Sequence, residues 1–288
     1  MKDKQYVFAG NRFFVLGKML EEQLPITKIF APPSSFLERE LVGRGIAFEP
    51  MGDKKQLVDA LRGTDFDYFI SNGCPYILPI TELRSGTNKQ FVNIHPSLLP
   101  DLRGADPVPG ALLYGRPSGA TAHHMNDGID AGDIIAQVPI EMSDDLDCGL
   151  LYQLSFIAEQ EVFLKAYRKG FRPQAKQTVE QHHLYYTLKE DQLRLDFSED
   201  LYAIVRRIKA FSTRSRGAFF SFGENTVKVR DAEVVSNPFL LERFADYKDN
   251  QVVFNYENRL LLKKGNRFLK LKQLEGDIAA IQPGDVLR

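Results

Sequence analysis

The chain has 288 residues, 43% hydrophobic and 26% charged, an ordinary balance for a folded protein that argues against disorder, fibres and membrane spans. Lys and Arg number 37 against 38 Asp and Glu, so no global positive field gathers a polyanion such as tRNA, and a nucleic-acid partner is disfavoured. Cys74 and Cys148 lack the spacing of a zinc or redox pair, and no apolar leader or run of eighteen apolar residues is present, so a reducing cytoplasm without a membrane partner is expected.

Residues 5–9 (QYVFA) read as a buried strand that Gly10 breaks, and 13–24 carry helical apolar spacing. The alternation continues through a strand at ITKIFA, a helix at FLERELVGRG, a strand at IAFEP, a helix at KKQLVDALRG and the strand FDYFIS. FVNIHP is a further strand and GALLYG a short helix. GATAHHM and IIAQVPIEM form a strand pair, and a long helix runs to Gly170 ahead of Pro173. Strands alternating with helices predict an α/β domain, Rossmann-like, with a mostly parallel sheet covered on both faces, over residues 1–170.

Residues 171–185 are polar and aperiodic, which marks a linker. A second unit spans 186–288. Leu201, Ile204, Val205 and Ile208 fall on one helical stripe that Ser198 is placed to cap. Strands joined by turns at 223–225 and 265–266 follow, a small β-rich unit of OB-like barrel type.

The stretch 91–133 carries the chemistry. Asn93 and His95 lie two apart on a strand, so both side chains leave one face, and Pro96 holds His95 extended. The prolines at 96, 100, 107 and 109 stiffen a loop at the carboxyl end of a parallel strand, where open α/β sheets bind ligands. Gly128 and Gly132 let the backbone fold tightly around Asp130 and return its carboxylate to His95. An amide, an imidazole and a carboxylate suit acyl transfer to an amine. Asn93 and a protonated His95 donate to the developing oxyanion, while Asp130 orients the ring, favours imidazolium and helps accept the amine proton.

The pattern NxHPSLLP from Asn93, then RGxxP from Arg103, then DxGxDAGD around Asp130 resembles the formyltransferase family, which includes methionyl-tRNA formyltransferase, glycinamide ribonucleotide formyltransferase and the formyltransferases of nucleotide-linked amino sugars. Asn93, His95 and Asp130 match the family's catalytic triad. The second unit is similar to the carboxyl-terminal domain of the tRNA and sugar members. The resemblance implies 10-formyltetrahydrofolate as formyl donor, lying against the 71–78 segment (Ser71, Tyr76, Ile77, Leu78) and the 123–130 segment (His123, Asp127). It leaves Asn11, Arg12 and Arg103 as acceptor-side residues, with a homodimer compatible. The loop Gly10-Asn11-Arg12 departs from the longer Pro-containing loop of the tRNA and arabinose members and has too few glycines for a dinucleotide fingerprint.

No metal is expected. Asp127 and Asp130 lack the alternating acids of a calcium loop, and His182-His183 diverge without a ligand-spaced partner. His123 and His124 point opposite ways on a strand, and only His123 is aimed at the pocket. From residue 180 onward 18 Lys and Arg face 16 Asp and Glu, hardly a basic domain. The amine of a nucleotide-linked amino sugar, a UDP- or dTDP-linked 4-amino-deoxyhexose, is therefore the expected acceptor. Methionyl-tRNA formylation, 10-formyltetrahydrofolate hydrolysis and a folate-binding module without turnover are the alternatives.

Overall fold

The computed structural model describes residues 1–213 and 215–288, which divide into two compact units. The first takes in Met1–Pro107, Pro117–Met142 and Gln153–Tyr186, and the second Val108–Arg116, Ser143–Tyr152 and Thr187–Arg288.

In chain order the elements begin with β1 (Tyr6–Gly10), α1 (Phe14–Glu21), β2 (Ile26–Ala31), α2 (Phe36–Arg44), β3 (Glu49–Pro50), α3 (Lys54–Gly63) and β4 (Tyr68–Asn72). They continue with α4 (Ile80–Arg84), β5 (Gln90–His95), α5 (Pro107–Tyr114), β6 (Ser118–His124), β7 (Ile134–Ile140) and α6 (Cys148–Arg168). Seven strands form one sheet in the order β3-β2-β1-β4-β5-β6-β7. The five from β3 to β5 are parallel, and β6 and β7 add antiparallel pairs. β1 is fully buried along its length, which is why it reads as an unbroken apolar run rather than an alternating one.

Strand order reverses between β1 and β4, and the crevice at the carboxyl ends beside such a reversal is where open α/β sheets hold ligands. Two backbones meet there. Asn11 N–H donates to the Asn72 carbonyl at 3.2 Å, and a Cβ on Gly10 would stand 2.1 Å from that same oxygen. Only glycine fits.

The predicted IAFEP strand shrinks to Glu49–Pro50, which pairs with Phe30 and Ala31. Its first residue serves another purpose: Ile46, with the preceding Gly45 in left-handed geometry, donates its amide to the end of α2, the two meeting the Leu41 and Val42 carbonyls. α3 is fixed as its sequence suggests, by a capping box between Asp53 and Gln56.

The second unit contains α7 (Leu201–Phe211), β8 (Ala218–Phe222), β9 (Asn225–Val235), α8 (Pro238–Arg243), β10 (Val252–Tyr256), β11 (Arg259–Lys264) and β12 (Arg267–Glu275). Its antiparallel sheet pairs in the order β10-β11-β12-β9-β8. The stripe Leu201, Ile204, Val205 and Ile208 is buried against Val227, Val229, Leu269 and Leu271. The cap differs from expectation. Asp200, not Ser198, accepts the free amides of Tyr202 and Ala203 at 2.8 and 3.1 Å, because Ser198 is held in the preceding turn by Asp196. Among the described residues no helix is long and apolar enough to cross a membrane.

Candidate active site

β5, the strand next to β4, carries Asn93 and His95 at its carboxyl end beside the switch point, and β6 runs antiparallel beside it with His123 directly opposite Asn93. The 125–130 segment then crosses the mouth of the crevice. At its start Met125 N–H donates to the Phe91 carbonyl at 2.8 Å, and Asp127 accepts the Thr81 amide at 3.0 Å. At its end Asp130 takes a left-handed φ of 47°, which returns its carboxylate to the crevice, and Gly132 lets the chain pass close to the His124 carbonyl, where a Cβ would stand 1.8 Å away.

The three expected groups converge. Asp130 Oδ1 accepts from Asn93 Nδ2 at 3.2 Å, and its Oδ2 accepts the Gly104 amide at 3.0 Å. His95 Nδ1 stands 3.6 Å from Oδ2. They line a cavity of about 420 Å³ together with Asn11, Arg12, Ser71, Tyr76, Ile77, Leu78 and His123.

Hydrogen bonding fixes the state of each ring. His95 Nε2 lies 3.0 Å from the Leu102 carbonyl. A carbonyl oxygen only accepts, so Nε2 carries the hydrogen and the neutral ring presents the bare lone pair of Nδ1 towards the cavity and Asp130. Burial lowers the imidazole's affinity for a proton and outweighs the opposing pull of Asp130 and Leu102. The imidazolium expected from the sequence is therefore not the resting state: the ring is only 5% exposed, and desolvation wins. Asp130 moves in the stabilised direction. Burial pushes its carboxyl up, but its attraction to the imidazolium form of His95 and the hydrogen bonds it accepts from the Gly104 amide and Asn93 hold it well below the usual carboxylate range.

Asn93 is also engaged. Its Nδ2 meets His123 Nε2 at 3.2 Å as well as Asp130, and His123 Nδ1 donates to the His124 carbonyl at 2.8 Å. His123 Nε2 thus faces an amide donor, and both hydrogens of the Asn93 amide are in use. His124 faces away, with Nε2 on the Phe171 carbonyl at 2.9 Å.

Around this centre, Ser71 is buried one residue before the end of β4, Tyr76 anchors its loop through its hydroxyl on the Gly52 carbonyl at 2.6 Å, Leu78 is buried and Ile77 exposed. Asn11 packs against Gly73, where its Oδ1 fills the space a side chain would need. Arg12 pairs with Glu159 and lies over the Phe156 ring at 5.7 Å. Two expected residues are not in the cavity lining. Asp127 is turned to the Thr81 amide, and Arg103 sits where its backbone pairs with residues 184–186.

Sequence reasoning missed Glu159 and Tyr185. Glu159 is wholly buried on α6, and burial raises its carboxyl against the opposing pull of Arg12. Its signal was present: it shares a helical stripe with the buried Val162, Phe163 and Ala166. Tyr185 lines the cavity from the stretch expected to be a linker. Among the described residues no cluster of His, Cys, Asp and Glu could hold a metal ion.

A doubly wound sheet that places an amide, an imidazole and an ionised carboxylate in one buried crevice is the architecture of an α/β group-transfer enzyme. The chain belongs to the formyl transferase family, matching the formyl transferase domain over residues 17–167 and the formyl transferase C-terminal domain over residues 187–284. A methionyl-tRNA formyltransferase of Myxococcus xanthus is 34% identical over 146 residues, 49% of this chain and 46% of that protein, so the match spans about half the relative's length. One from Bacillus velezensis is 24% identical over 280 residues, covering 90% of this chain and 85% of its own. The crystal structure of an N-formyltransferase from Helicobacter canadensis, in complex with folinic acid and dTDP-3-aminofucose, superposes with a TM-score of 0.73 at 15% identity, covering 94% of this chain and 99% of that one. At that identity the likeness is one of fold.

Proposed function

We propose that this chain transfers the formyl group of 10-formyltetrahydrofolate to the primary amine of a nucleotide-linked amino sugar, a UDP- or dTDP-linked 4-amino-deoxyhexose. The observation that carries the reading is the buried contact of Asn93, His95 and Asp130 inside one cavity.

The chemistry follows from the bonding. Attack by a neutral amine on the formyl carbon leaves negative charge on oxygen and positive charge on nitrogen. The Nδ1 lone pair of His95 takes the proton from that nitrogen, acting as general base, and the Asp130 carboxylate stabilises the imidazolium that results. Asn93 donates to the oxyanion by exchanging one of its two hydrogen bonds. The bond to the His123 ring nitrogen is the weaker, since the other is made to a carboxylate. No covalent intermediate with the enzyme is needed. The folate occupies the end of the cavity formed by Leu78, Ile77 and Met125, and Asn11 and Arg12 face the acceptor's diphosphate.

The choice of acceptor rests on charge. A tRNA substrate draws its affinity from many phosphate contacts, whereas here 18 basic residues from 180 onward meet 16 acidic ones. The bound dTDP-amino sugar of the Helicobacter protein, whose fold extends over 94% of this chain, favours the same class. Methionyl-tRNA is the second reading, favoured by the Bacillus relative that matches across 90% of the chain.

The test is incubation with 10-formyltetrahydrofolate and a panel of UDP- and dTDP-amino sugars, with methionyl-tRNA alongside, read by the formyl mass increment. A formylated sugar is expected. Formylated methionyl-tRNA with every sugar untouched would reject the acceptor, and donor hydrolysis that needs no amine would reject transfer.

A further inference from the structure

Tyr185 sits in the aperiodic stretch ahead of the second unit, yet its backbone is knitted into the loop that follows β5. Arg103 N–H donates to the Leu184 carbonyl at 3.1 Å, Tyr186 N–H to the Arg103 carbonyl at 2.7 Å, and Leu184 N–H to Asp101 Oδ1 at 2.7 Å. The neighbouring Tyr186 uses its ring for packing and is 4% exposed, while Tyr185 is 54% exposed and lines the cavity.

The ring is held over one particular turn. Gly104 has a φ of 106°, and a Cβ there would lie 2.6 Å from the Tyr186 carbonyl and 3.2 Å from the outer edge of the Tyr185 ring. Gly104 is also the residue whose amide holds Asp130 at 3.0 Å. An exposed aromatic face therefore stands next to the turn that fixes the carboxylate.

The 125–130 segment has two ends, and Tyr185 belongs to only one of them. At the Asp127 end it meets Thr81, and Met125 joins the cluster containing Tyr76, Leu78 and Ile80. At the Asp130 end it meets Gly104, and so Tyr185. The donor fills the first end in the reading above, which leaves the second for the amine-bearing molecule.

We infer that Tyr185 is a specificity-determining residue whose ring packs against the sugar face of the amine acceptor. A tyrosine suits this task because it offers a flat apolar face at small conformational cost and a hydroxyl for the polar edge of a ligand. The inference rests on the proposed transfer to a nucleotide-linked amino sugar.

The test uses the full chain as wild type, Tyr185→Ala and Tyr185→Phe, with both substrates varied in steady state and tetrahydrofolate binding measured separately by calorimetry. Tyr185→Ala should raise the KM for the amino sugar by roughly 10- to 100-fold and leave the Kd for tetrahydrofolate within about twofold, while Tyr185→Phe stays within about threefold of wild type in both. If Tyr185→Ala does not fold, Tyr185→Leu, which keeps bulk but no flat face, should show a smaller rise in the same KM. An unchanged acceptor KM in a folded variant, or a loss confined to tetrahydrofolate, overturns the inference while transfer by the wild type stands. A wild type that formylates no amino sugar overturns both.

Discussion

Two cavities of similar size gather polar side chains in opposite ways. The one in the first unit, about 420 Å³, is lined among the described residues by a single carboxylate and a single guanidinium, and its centre is buried: His95 is 5% exposed and the Asp130 side chain 13%. The one in the second unit, about 550 Å³, is lined by Asp145, Asp147, Lys209, Arg230, Asp231, Glu233, Lys272 and Glu275. Five of these side chains are held in ion pairs. Lys272 reaches Asp231 at 2.8 Å and Glu233 at 2.9 Å, and Arg230 reaches Glu275 at 2.8 Å. Burial pulls the Lys272 ammonium down, but its two carboxylate partners outweigh that, so it stays charged. Reactivity here is a matter of desolvation and of a lone pair left open, and the crowd of charges supplies neither.

The sharpest way to break this contrast is to remove the open lone pair. His95→Ala and Asn93→Ala should each lower turnover by at least about 100-fold with folding intact, since each acts directly on the tetrahedral intermediate. Near-normal rates in variants whose thermal unfolding matches wild type would dissolve the site.

Asp130→Asn should have the next largest effect, on the order of 10- to 100-fold in turnover, with a change in pH dependence. The carboxylate raises the proton affinity of His95 against burial. Its loss should therefore move the acid limb of the rate profile to lower pH. An unmoved limb with full activity would remove Asp130 from the mechanism.

Much of this was legible in the sequence because the chemistry is local. Asn93 and His95 share a strand face by the two-residue period alone, and Gly128 and Gly132 flag the return of Asp130. What stayed hidden depends on long-range packing. The neutral state of His95 comes from the Leu102 carbonyl and from burial, neither visible in an N-x-H pattern. Tyr185 was hidden because its segment has no periodicity, and its order comes from pairing with a loop some eighty residues earlier. The second unit erred differently: Asp200 displaced Ser198 as cap because two acceptors were in reach and the turn used one. Helix α8 escaped notice because six residues are too few for a periodic signal.

Smaller effects sharpen the comparison. Burial raises the Glu159 carboxyl above its unfolded value, so its stabilising contribution is present at low pH and lost as pH rises through the folded value. Against Glu159→Gln, which does not titrate, the wild type should gain stability as urea unfolding is repeated from neutral towards acidic pH. A parallel pair of curves would contradict the burial argument. The smallest effect belongs to the second cavity. Lys272→Ala should change stability by less than about 1 kcal/mol, because its partners are exposed enough to rehydrate, and it should leave the formyl-transfer rate unchanged. A marked loss of rate would make that cavity part of the function.

The account turns on a neutral His95 with its hydrogen on Nε2, and nitrogen-15 chemical shifts of its imidazole followed through a pH titration read that state directly. At neutral pH Nε2 should be protonated and Nδ1 bare, with the ring gaining its second proton only below the ordinary histidine value of 6.5, and at lower pH still in Asp130→Asn. A doubly protonated ring at neutral pH, or a hydrogen on Nδ1 instead, would contradict it.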